Sequence, residues 1–388
     1  MRIFETDQYP LVAPLAEPFE EVRRIAILRG GGIGDVLFAL PAVQSLAAAY
    51  PQAEITMLGT PAHAQLLDGR KGGPDRVVVV PPTRGVRPGE DENSAVIDEF
   101  FDRMRADRFD LAVQAHGGGR WSNPFLLRLG ARHTIGTRTP DAAKLERSIP
   151  YIYYQNEMMR SLEIASLAGA RPVTFEPRLA MRDGEAEWAR RTLLIDSAGL
   201  VVIHPGATDP RRRWPVERFA DVVRRCAKDG LQVVLVGDET DVQTCQAIIA
   251  AAALATSQER LVSSVAGTLT LGQLVGALGI ADVVLGSDSG PRHLAGALGT
   301  RTVGVYWCGN VISAGPAGRS RHRVHISWVT NCPECGRDCT QVGWTAERCE
   351  HDVSFVADVP PDGVYDDLID LLGQSRSTAN HGQDSSSS

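Results

Sequence analysis

A short apolar run, a glycine- or proline-rich turn and a helical stretch repeat along most of this chain. In the N-terminal half, the pattern predicts strands at RIAIL, EITML, RVVVV and DLAVQA, a helix VLFALPAVQSLAAAYP and another helix around Ile97–Arg105. The pattern restarts with the apolar runs LVVIHPG, LQVVLVGD, RLVSSVAG, ADVVLGSD and TRTVGVYW. Apolar strands separated by helices are typical of parallel sheets covered on both faces.

The repeating pattern weakens between Arg132 and Glu187, where prolines accumulate, and this interval predicts a junction between two α/β domains. Because open α/β sheets bind ligands beyond the carboxyl ends of their strands, two such domains predict a cleft between them. We expect a surface extension over 1–23, a Rossmann-like domain over 24–175, a linker over 176–199, a second Rossmann-like domain over 200–372 and a disordered polar tail over 373–388.

Composition excludes several classes of protein. The 388 residues carry 40 basic and 47 acidic side chains, a formal charge of −7, so no global basic field is available for nucleic acid. No apolar run approaches the roughly 18 residues that a membrane-spanning helix needs. The N-terminal segment carries acids and prolines where a signal peptide needs an apolar segment. A cytoplasmic enzyme is expected.

The first chemical signal is the loop RGGGIGD between a predicted strand and a predicted helix. Its glycines allow a tight turn, and the helix N-terminus can receive an anion. A dinucleotide fingerprint would need glycine at position 35, where Asp35 stands, so that site is disfavoured. Asp35 has two interpretations: a carboxylate that caps the helix, or a general base at the edge of the sheet.

Two further loops follow strands in the C-terminal half. HPGATD leads into RRRWP, where arginines can grip a diphosphate or form an ordinary solvated charge run. SDSGPRH places small polar groups and backbone N–H groups at a helix start, a geometry suited to phosphate, although a histidine in a helix is more often structural. Between these loops, GDETD supplies carboxylates that could bind ribose hydroxyls.

These motifs, in this order, resemble glycosyltransferase family 9, the ADP-heptose:lipopolysaccharide heptosyltransferases. The resemblance spans about Arg24 to Val359 and rests on RGGGIGDVLFALPA, HPGATDPRRRWP, GDETD and SDSGPRHLAGALG. It implies an α/β fold of GT-B architecture, in which two Rossmann-like parallel-sheet domains face a cleft. The acceptor would bind to the N-terminal half and the nucleotide sugar to the C-terminal half.

The resemblance also implies residue roles. The proposed base of the family falls on Asp35, and the acceptor-side loop contains Arg29, Gly31, Gly32 and Gly34. The ribose carboxylate falls on Asp241, with Glu239 nearly as good. The full set expected to bind the donor is Gly206, Thr208, Arg212, Arg213, Asp241, Asp288, Ser289, Gly290 and His293.

The resulting hypothesis is an inverting glycosyltransferase that needs no metal or other cofactor for catalysis. It would move a heptose-like sugar from a nucleotide-sugar donor, ADP-heptose, to a glycan or glycolipid acceptor of the cell envelope, such as the lipopolysaccharide core. Asp35 would take the acceptor proton, while Arg212, Arg213 and the helix start at Ser289 would stabilise the departing diphosphate. Contact with the membrane would be transient, at its inner face.

Two alternatives stay open. A sugar-nucleotide 2-epimerase of the same architecture would convert the donor without an acceptor. A non-catalytic nucleotide-sugar-binding protein would use Asp35 only as a helix cap. The residues do not decide between sugars, nucleotides or acceptors.

A cysteine-rich segment, 332–351, lies late in the second domain, and nothing ties it to catalysis. The cysteines Cys332, Cys335, Cys339 and Cys349, with His351 close behind, satisfy the ligand count of a structural zinc site. Their spacing is not that of a standard zinc ribbon, so free thiols or a disulfide remain alternatives.

Overall fold

A computed structural model of the chain describes residues 12–89, 92–340 and 349–384, with side chains as far as Gln374. The chain divides into two compact units, Met1–Leu179 and Ala180–Ser388. This division falls inside the interval 176–199 that the sequence predicts as a linker. Each unit contains one parallel six-stranded sheet, so the predicted α/β fold class with two Rossmann-like sheets is confirmed.

The sheet of the first unit has the order β3-β2-β1-β4-β5-β6, in which β1 and β4 are central. Its strands are β1 (Arg24–Leu28), β2 (Glu54–Gly59), β3 (Arg76–Val79), β4 (Leu111–Gln114), β5 (His133–Arg138) and β6 (Arg147–Pro150). Its helices are α1 (Ile33–Ala49), α2 (Pro61–Leu67), α3 (Ser94–Ala106), α4 (Ser122–Leu127) and α5 (Glu157–Ser166).

Local sequence signals begin two of these helices. Asn93 precedes α3, and its side chain accepts the backbone N–H groups of Ala95 and Val96. Asn156 begins α5 in the same way. An asparagine cap satisfies N–H groups that have no partner inside the helix.

Strands β5 and β6 lie in the interval where the hydrophobic pattern weakens, and the sequence analysis did not predict them. Strand β5 contains Thr137, which is buried, and its hydroxyl lies 2.6 Å from the carbonyl oxygen of Gly117. This hydrogen bond satisfies the hydroxyl group and so allows the polar side chain to be buried. Strand β6 is an edge strand, where continuous apolar character is not required.

The sheet of the second unit has the order β12-β11-β10-β7-β8-β9. Its strands are β7 (Leu200–His204), β8 (Gln232–Leu235), β9 (Val262–Ser264), β10 (Val283–Ser287), β11 (Arg301–Trp307) and β12 (His322–Ser327). Its helices are α6 (Glu185–Leu193), α7 (Val216–Lys228), α8 (Val242–Ala252), α9 (Thr256–Glu259), α10 (Leu271–Ile280), α11 (Gly290–Ala297), α12 (Cys308–Ala314) and α13 (Pro361–Asp384).

The core of the second unit forms between α7, α13 and the sheet. Trp214 and Phe219 lie there in an edge-to-face contact, with ring centroids 4.9 Å apart. The indole N–H of Trp214 donates to the carbonyl oxygen of Val359 at 3.0 Å. Trp214 is therefore a core residue, which ties the loop before α7 to the segment before α13.

The segments outside the predicted domains have their own structure. Residues 176–199 include α6, which packs against α10. The segment 373–388 was expected to be disordered, but its described part continues helix α13 as far as Asp384. Residues 385–388 and 1–11 of the predicted tail and extension lie outside the described residues. In the described part of the extension, Phe19 is buried and stacks on His133. Within the described ranges, no helix is long and apolar enough to cross a membrane.

Candidate functional site

The two sheets share one feature that positions their loops. In each sheet, strand order reverses between the first and fourth strands along the chain: β1 and β4 in the first unit, β7 and β10 in the second. Ligands of open α/β sheets bind beyond the carboxyl ends of the strands at such a reversal. Three of the predicted loops follow these strands: the glycine loop follows β1, the HPG loop follows β7, and the loop at Asp288 follows β10.

The glycine loop turns tightly before α1. Gly31 has a φ of 88°, in the left-handed region that favours glycine, and a Cβ there would lie 2.4 Å from Oδ2 of Asp35. At Gly32, the N-cap of α1, the nearest atom to an added Cβ is 3.8 Å away. Gly34 lies in the first turn of α1. The loop therefore needs glycine at position 31 because of the carboxylate that it surrounds.

The carboxylate of Asp35 is held from two sides and is still 48% exposed. Its Oδ1 lies 3.0 Å from Nη2 of Arg29, and its Oδ2 accepts the backbone N–H of Gly32 at 2.8 Å. The second bond is the helix-capping interaction that the sequence analysis considered. Capping and a functional role are compatible here, because the half-exposed carboxylate keeps a face open to solvent.

Arg29 is buried and connects Asp35 to the rest of the first unit. Besides Asp35, its guanidinium contacts the carbonyl oxygen of Ala115 and, at 3.3 Å, Oε2 of Glu157. Next to it, His116 accepts the N–H of Gly30 at 3.3 Å. Burial, followed by the charge of Arg29, lowers the pKa of His116 to about 4. The glycine loop therefore lies against a neutral imidazole, that of His116, and a buried cation, that of Arg29.

In the second unit, His204 at the end of β7 joins two of the predicted loops. Its Nδ1 lies 2.9 Å from the hydroxyl of Ser289, and its Nε2 lies 3.4 Å from Oδ2 of Asp241. Burial raises the pKa of Asp241, but the hydrogen bond and charge of His204, with smaller contributions from Asp238 and Arg213, outweigh burial and leave the pKa lowered. Asp241 is therefore a buried, ionised carboxylate, whereas Glu239 is exposed.

Two glycines make room for the carboxylate of Asp241. A Cβ at Gly206 would lie 2.2 Å from its Oδ1, and a Cβ at Gly237 would lie 2.5 Å from its Cβ. Real Cβ atoms do not approach other heavy atoms this closely, so the HPG loop requires Gly206. Thr208, two residues further on, is exposed.

The arginine loop, Arg211–Arg213, presents its three side chains differently. Arg211 pairs with Asp209, and Arg213 donates from Nε to the carbonyl oxygen of Ala207 at 2.9 Å. Arg212 donates from Nη1 to Oδ2 of Asp288 at 2.9 Å while its side chain stays 26% exposed. The exposed part of this guanidinium and the exposed Arg213 leave positive charge available to an anion.

Asp288 is buried at the centre of a chain of charged groups. His293 donates from Nε2 to its Oδ1 at 2.8 Å, and Nδ1 of the same ring accepts from Nη2 of Arg292 at 2.8 Å. Because arginine can only donate, His293 carries its proton on Nε2. Burial raises the pKa of Asp288, but His293, Arg212 and Arg292 outweigh it, and the pKa is lowered.

Helix α11 begins immediately after this group. Ser289 is its N-cap, yet its hydroxyl points to His204 instead of capping the helix, and Gly290 is the first helical residue. In the predicted donor loop, the buried side chains of Asp288 and His293 therefore lie next to the N-terminus of α11. A helix N-terminus favours negative charge.

The structure brings together most of the predicted donor residues within the second unit, but it gives them unequal positions. Those whose side chains are buried are Asp241, Asp288, Ser289 and His293, whereas Thr208, Arg212 and Arg213 are at least partly accessible. The sequence analysis included His204 and Arg292 in its motifs but gave no role to these buried side chains, which orient the others. It missed Glu157 and His116 beside Arg29, which lie outside the motifs.

The cysteine-rich segment groups its ligands differently from the set predicted. Donor atoms of Cys332, Cys335, Cys349 and His351 all lie within 4.8 Å of one another, so this Cys/His cluster can hold a metal ion. Cys339, which the sequence analysis included, is buried with its sulfur 3.3 Å from the carbonyl oxygen of Arg337. His351 stands in the group where Cys339 was expected.

Comparison with known proteins gives one family. The family model "Glycosyltransferase family 9 (heptosyltransferase)" matches residues 97–344. Lipopolysaccharide heptosyltransferase 2 of Salmonella typhimurium is 25% identical over 366 residues, which cover 90% of this chain and 99% of that protein.

Two solved structures share the fold. The ADP-heptose lipopolysaccharide heptosyltransferase II of E. coli superposes with a TM-score of 0.69 at 21% identity, covering 91% of this chain and 99% of that chain. The iron-containing dodecameric glycosyltransferase TibC of enterotoxigenic E. coli superposes with a TM-score of 0.53 at 14% identity, covering 91% of this chain and 79% of that one. With the family match over most of the chain, these findings establish that the protein is a glycosyltransferase and belongs to family 9, the heptosyltransferase family.

Proposed function

We propose that this enzyme transfers heptose from ADP-heptose to a sugar hydroxyl of a lipopolysaccharide core acceptor, with inversion at the anomeric carbon. A relative that covers 90% of this chain is a lipopolysaccharide heptosyltransferase, and a solved structure of the same fold is an ADP-heptose heptosyltransferase. The single observation that carries the proposal is Asp35, a half-exposed carboxylate fixed at the strand-order reversal of the first sheet.

Asp35 is proposed as the general base. Its Oδ1 is held by Arg29 and its Oδ2 by the Gly32 amide, so the carboxylate has a defined orientation. The acceptor hydroxyl would give its proton to Asp35 while its oxygen forms a bond to the anomeric carbon of the donor. The bond from that carbon to the phosphate oxygen breaks, and its electron pair leaves with ADP. One displacement of this kind inverts the anomeric configuration.

The donor diphosphate is assigned to the second unit. Positive charge comes from Arg212 and Arg213, and amide dipoles come from the start of α11 at Ser289 and Gly290. Fixed groups of this kind stabilise the charge that develops on a leaving diphosphate, and we propose that catalysis needs no metal ion for this purpose. The buried pair of Asp288 and His293 would hold Arg212 and the start of α11 in place.

The carboxylate of Asp241 is proposed to bind the ribose hydroxyls, with the exposed Glu239 as the alternative. Both contacts that hold Asp241, Nε2 of His204 at 3.4 Å and the backbone N–H of Asp238 at 3.2 Å, are made to Oδ2. Glu239→Gln separates the two candidates, because weaker binding of ADP-heptose would assign the ribose to Glu239 and unchanged binding would leave it with Asp241.

A lipid-linked acceptor would bring the reaction to a membrane surface. We propose that the enzyme acts in the cytoplasm and contacts the inner face of the membrane only while it holds a lipid-linked acceptor.

We also propose zinc as the ion of the Cys/His cluster, since three thiolates and an imidazole form a ligand set that zinc takes in closed structural sites.

The test measures ADP release from ADP-heptose with and without heptose-deficient lipopolysaccharide core, for the wild type and for Asp35→Asn. We expect release that depends on acceptor, a product with inverted anomeric configuration, and a loss of about 10²–10⁴-fold in kcat for the variant. Affinity for ADP should persist. The matched control is Asp98→Asn, which removes a carboxylate paired with Arg128 elsewhere in the same unit.

Each other outcome overturns part of the proposal. Acceptor-independent epimerisation of the sugar would identify a 2-epimerase, and tight binding without turnover would identify a binding protein. Full activity of Asp35→Asn would remove the base. A product that retains the anomeric configuration would exclude a single displacement.

A further inference from the structure

The cysteine-rich segment contains a tight turn that directs backbone N–H groups at sulfur. Cys332 donates its N–H to the carbonyl oxygen of Arg337 at 2.8 Å and accepts the N–H of Gly336 at 2.9 Å, where a φ of 71° suits glycine. Backbone N–H groups of Glu334 and Cys335 point to the sulfur of Cys332, so the turn holds that sulfur in place.

The ligand geometry fits one tetrahedral ion. The sulfur of Cys332 lies 3.7 Å from Nδ1 of His351, and all four donor atoms lie within 4.8 Å of one another. Ligand bonds of about 2.0–2.3 Å in a zinc tetrahedron place neighbouring donors about 3.5–3.8 Å apart. Cys332 and Cys335 come from the turn, whereas Cys349 and His351 come from the segment that leads to Phe355, so an ion would join two separate pieces of chain.

The second of these pieces is hydrogen-bonded to the arginine loop. The N–H of Phe355 donates to the carbonyl oxygen of Arg211 at 2.8 Å, and the hydroxyl of Ser354 donates to the carbonyl oxygen of Arg213 at 2.6 Å. The guanidinium of Arg211 also lies over the Phe355 ring, 5.4 Å from its centroid. Arg212 is thus flanked on both sides by residues whose carbonyl groups are held by Phe355 and Ser354, just after the cysteine-rich segment.

Phe355 also belongs to the small core of the cysteine-rich segment. Its ring packs with the buried thiols of Cys332, Cys339 and Cys349, and its carbonyl oxygen accepts the hydroxyl of Ser327 at 2.6 Å. The same residue therefore carries its ring in the cluster and its N–H on the arginine loop. Phe355 therefore links the cluster directly to the arginine loop.

We propose that a metal ion bound by Cys332, Cys335, Cys349 and His351 fixes the arginine loop and thereby sets the affinity of the enzyme for the donor diphosphate. The ion takes no part in the transfer step. Without it, three thiols and an imidazole have no common partner, and the segment 349–355 loses the restraint that keeps Ser354 and Phe355 against the loop. This inference rests on the proposed role of Arg212 in donor binding.

The experiment uses the full-length protein as purified, with zinc and iron measured by mass spectrometry and ADP affinity by calorimetry. We expect about one ion per chain. Removal by a chelator should raise the Kd for ADP about tenfold, because the loop must then be ordered on binding, and added zinc should restore it. Circular dichroism before and after chelation establishes that the sheets stay folded.

Variants separate the ligands from the link. Cys349→Ser and His351→Ala should lose the ion and weaken ADP binding, whereas Cys339→Ser, a buried thiol of the same segment outside the ligand group, should keep both. Ser354→Ala should keep the ion and still weaken ADP binding several-fold, because only its bond to the loop is removed.

The outcomes also distinguish this inference from the proposed function. If the metal-free protein binds ADP as well as the loaded protein, while Arg212→Gln weakens ADP binding, the coupling is refuted and the donor site stands. If Arg212→Gln leaves ADP affinity unchanged, the donor assignment itself fails. A metal-free protein whose mass is about 2 Da below that of the reduced chain contains a disulfide. That result would refute the metal centre.

Discussion

The carboxylate of Asp35 and the backbone of Gly31 compete for the same space, and a methyl group at Gly31 tests whether the position of that carboxylate matters. In Gly31→Ala, the new Cβ would lie 2.4 Å from Oδ2, 2.7 Å from Cγ and 2.9 Å from Cβ of Asp35. The side chain must move away, because these distances are shorter than real Cβ atoms show. Movement breaks the bond from the Gly32 amide to Oδ2 and disturbs the bond from Arg29 to Oδ1.

Two effects add in this variant. The left-handed backbone, with a φ of 88°, costs a residue with a Cβ about 1–2 kcal/mol. Loss of one hydrogen bond to a charged group costs about 1.5–3 kcal/mol more. Stability should therefore fall by about 2.5–5 kcal/mol, and the displaced base should lower kcat by about 10²-fold, since a misplacement of about 1 Å has effects of that size.

The matched control is Gly32→Ala, one residue further along the same loop. Its φ is −84°, and the nearest atom to an added Cβ lies 3.8 Å away, so we expect near-wild-type kcat and stability. The assays are acceptor-dependent ADP release and urea unfolding followed by circular dichroism, with ADP affinity as a check on the donor site. If Gly31→Ala is stably folded and keeps the wild-type kcat, the carboxylate does not act as the base from this position. Equal losses in both variants would show a general effect of loop rigidity.

Further predictions concern the buried groups around both loops. Because the folded protein lowers the pKa of His116 to about 4 from an ordinary value near 6.5, the unfolded chain binds more protons between these values, so stability should fall as pH drops from about 6.5 towards 4; urea unfolding across this range should show a flatter dependence in His116→Gln. Gly206→Ala would place a Cβ 2.2 Å from Oδ1 of Asp241, and we expect calorimetry to show ADP binding weakened at least tenfold, whereas unchanged affinity would mean that the HPG loop is not part of the donor site. Asp288→Asn removes the negative charge that His293 and Arg212 share and replaces one of the two acceptor oxygens with an NH₂ donor, so thermal unfolding should show a loss of about 3–5 kcal/mol; a loss below 1 kcal/mol would contradict the structural role.

The parts of the fold that the sequence predicted are those where hydrophobicity and turns agree locally. The apolar runs that form β1 and β10 end at glycine- or serine-rich turns and are followed by helices, so both the sheet and the loops at its carboxyl edge could be inferred. Strand β5 could not, because the burial of Thr137 depends on the carbonyl oxygen of Gly117, 20 residues away. Edge strand β12, with the sequence HRVHIS, is too polar to stand out.

The same difference between local signals and contacts with distant residues explains which residues of the candidate site were predicted. Asp35 and the loop at Asp288 were found because their local context, a glycine turn and a helix start, is visible in the sequence. The role of His204 was missed because it depends on Ser289, 85 residues later, and Arg29 was assigned to the loop without its partner Glu157, 128 residues later. The ligand group at the cysteines differs for the same reason: which thiols converge is decided by chain folding, and Cys339 turns its sulfur to a carbonyl oxygen instead.

The same strand order in both sheets has a consequence for how such enzymes diversify. Each sheet closes its own reversal with its own strands, so the groups that gather at β1 and β4 share no backbone with those at β7 and β10. With the nucleotide sugar assigned to the second unit and the acceptor to the first, as proposed, inherited substitutions at one reversal would alter the choice of donor without changing the residues that receive the acceptor, and the reverse.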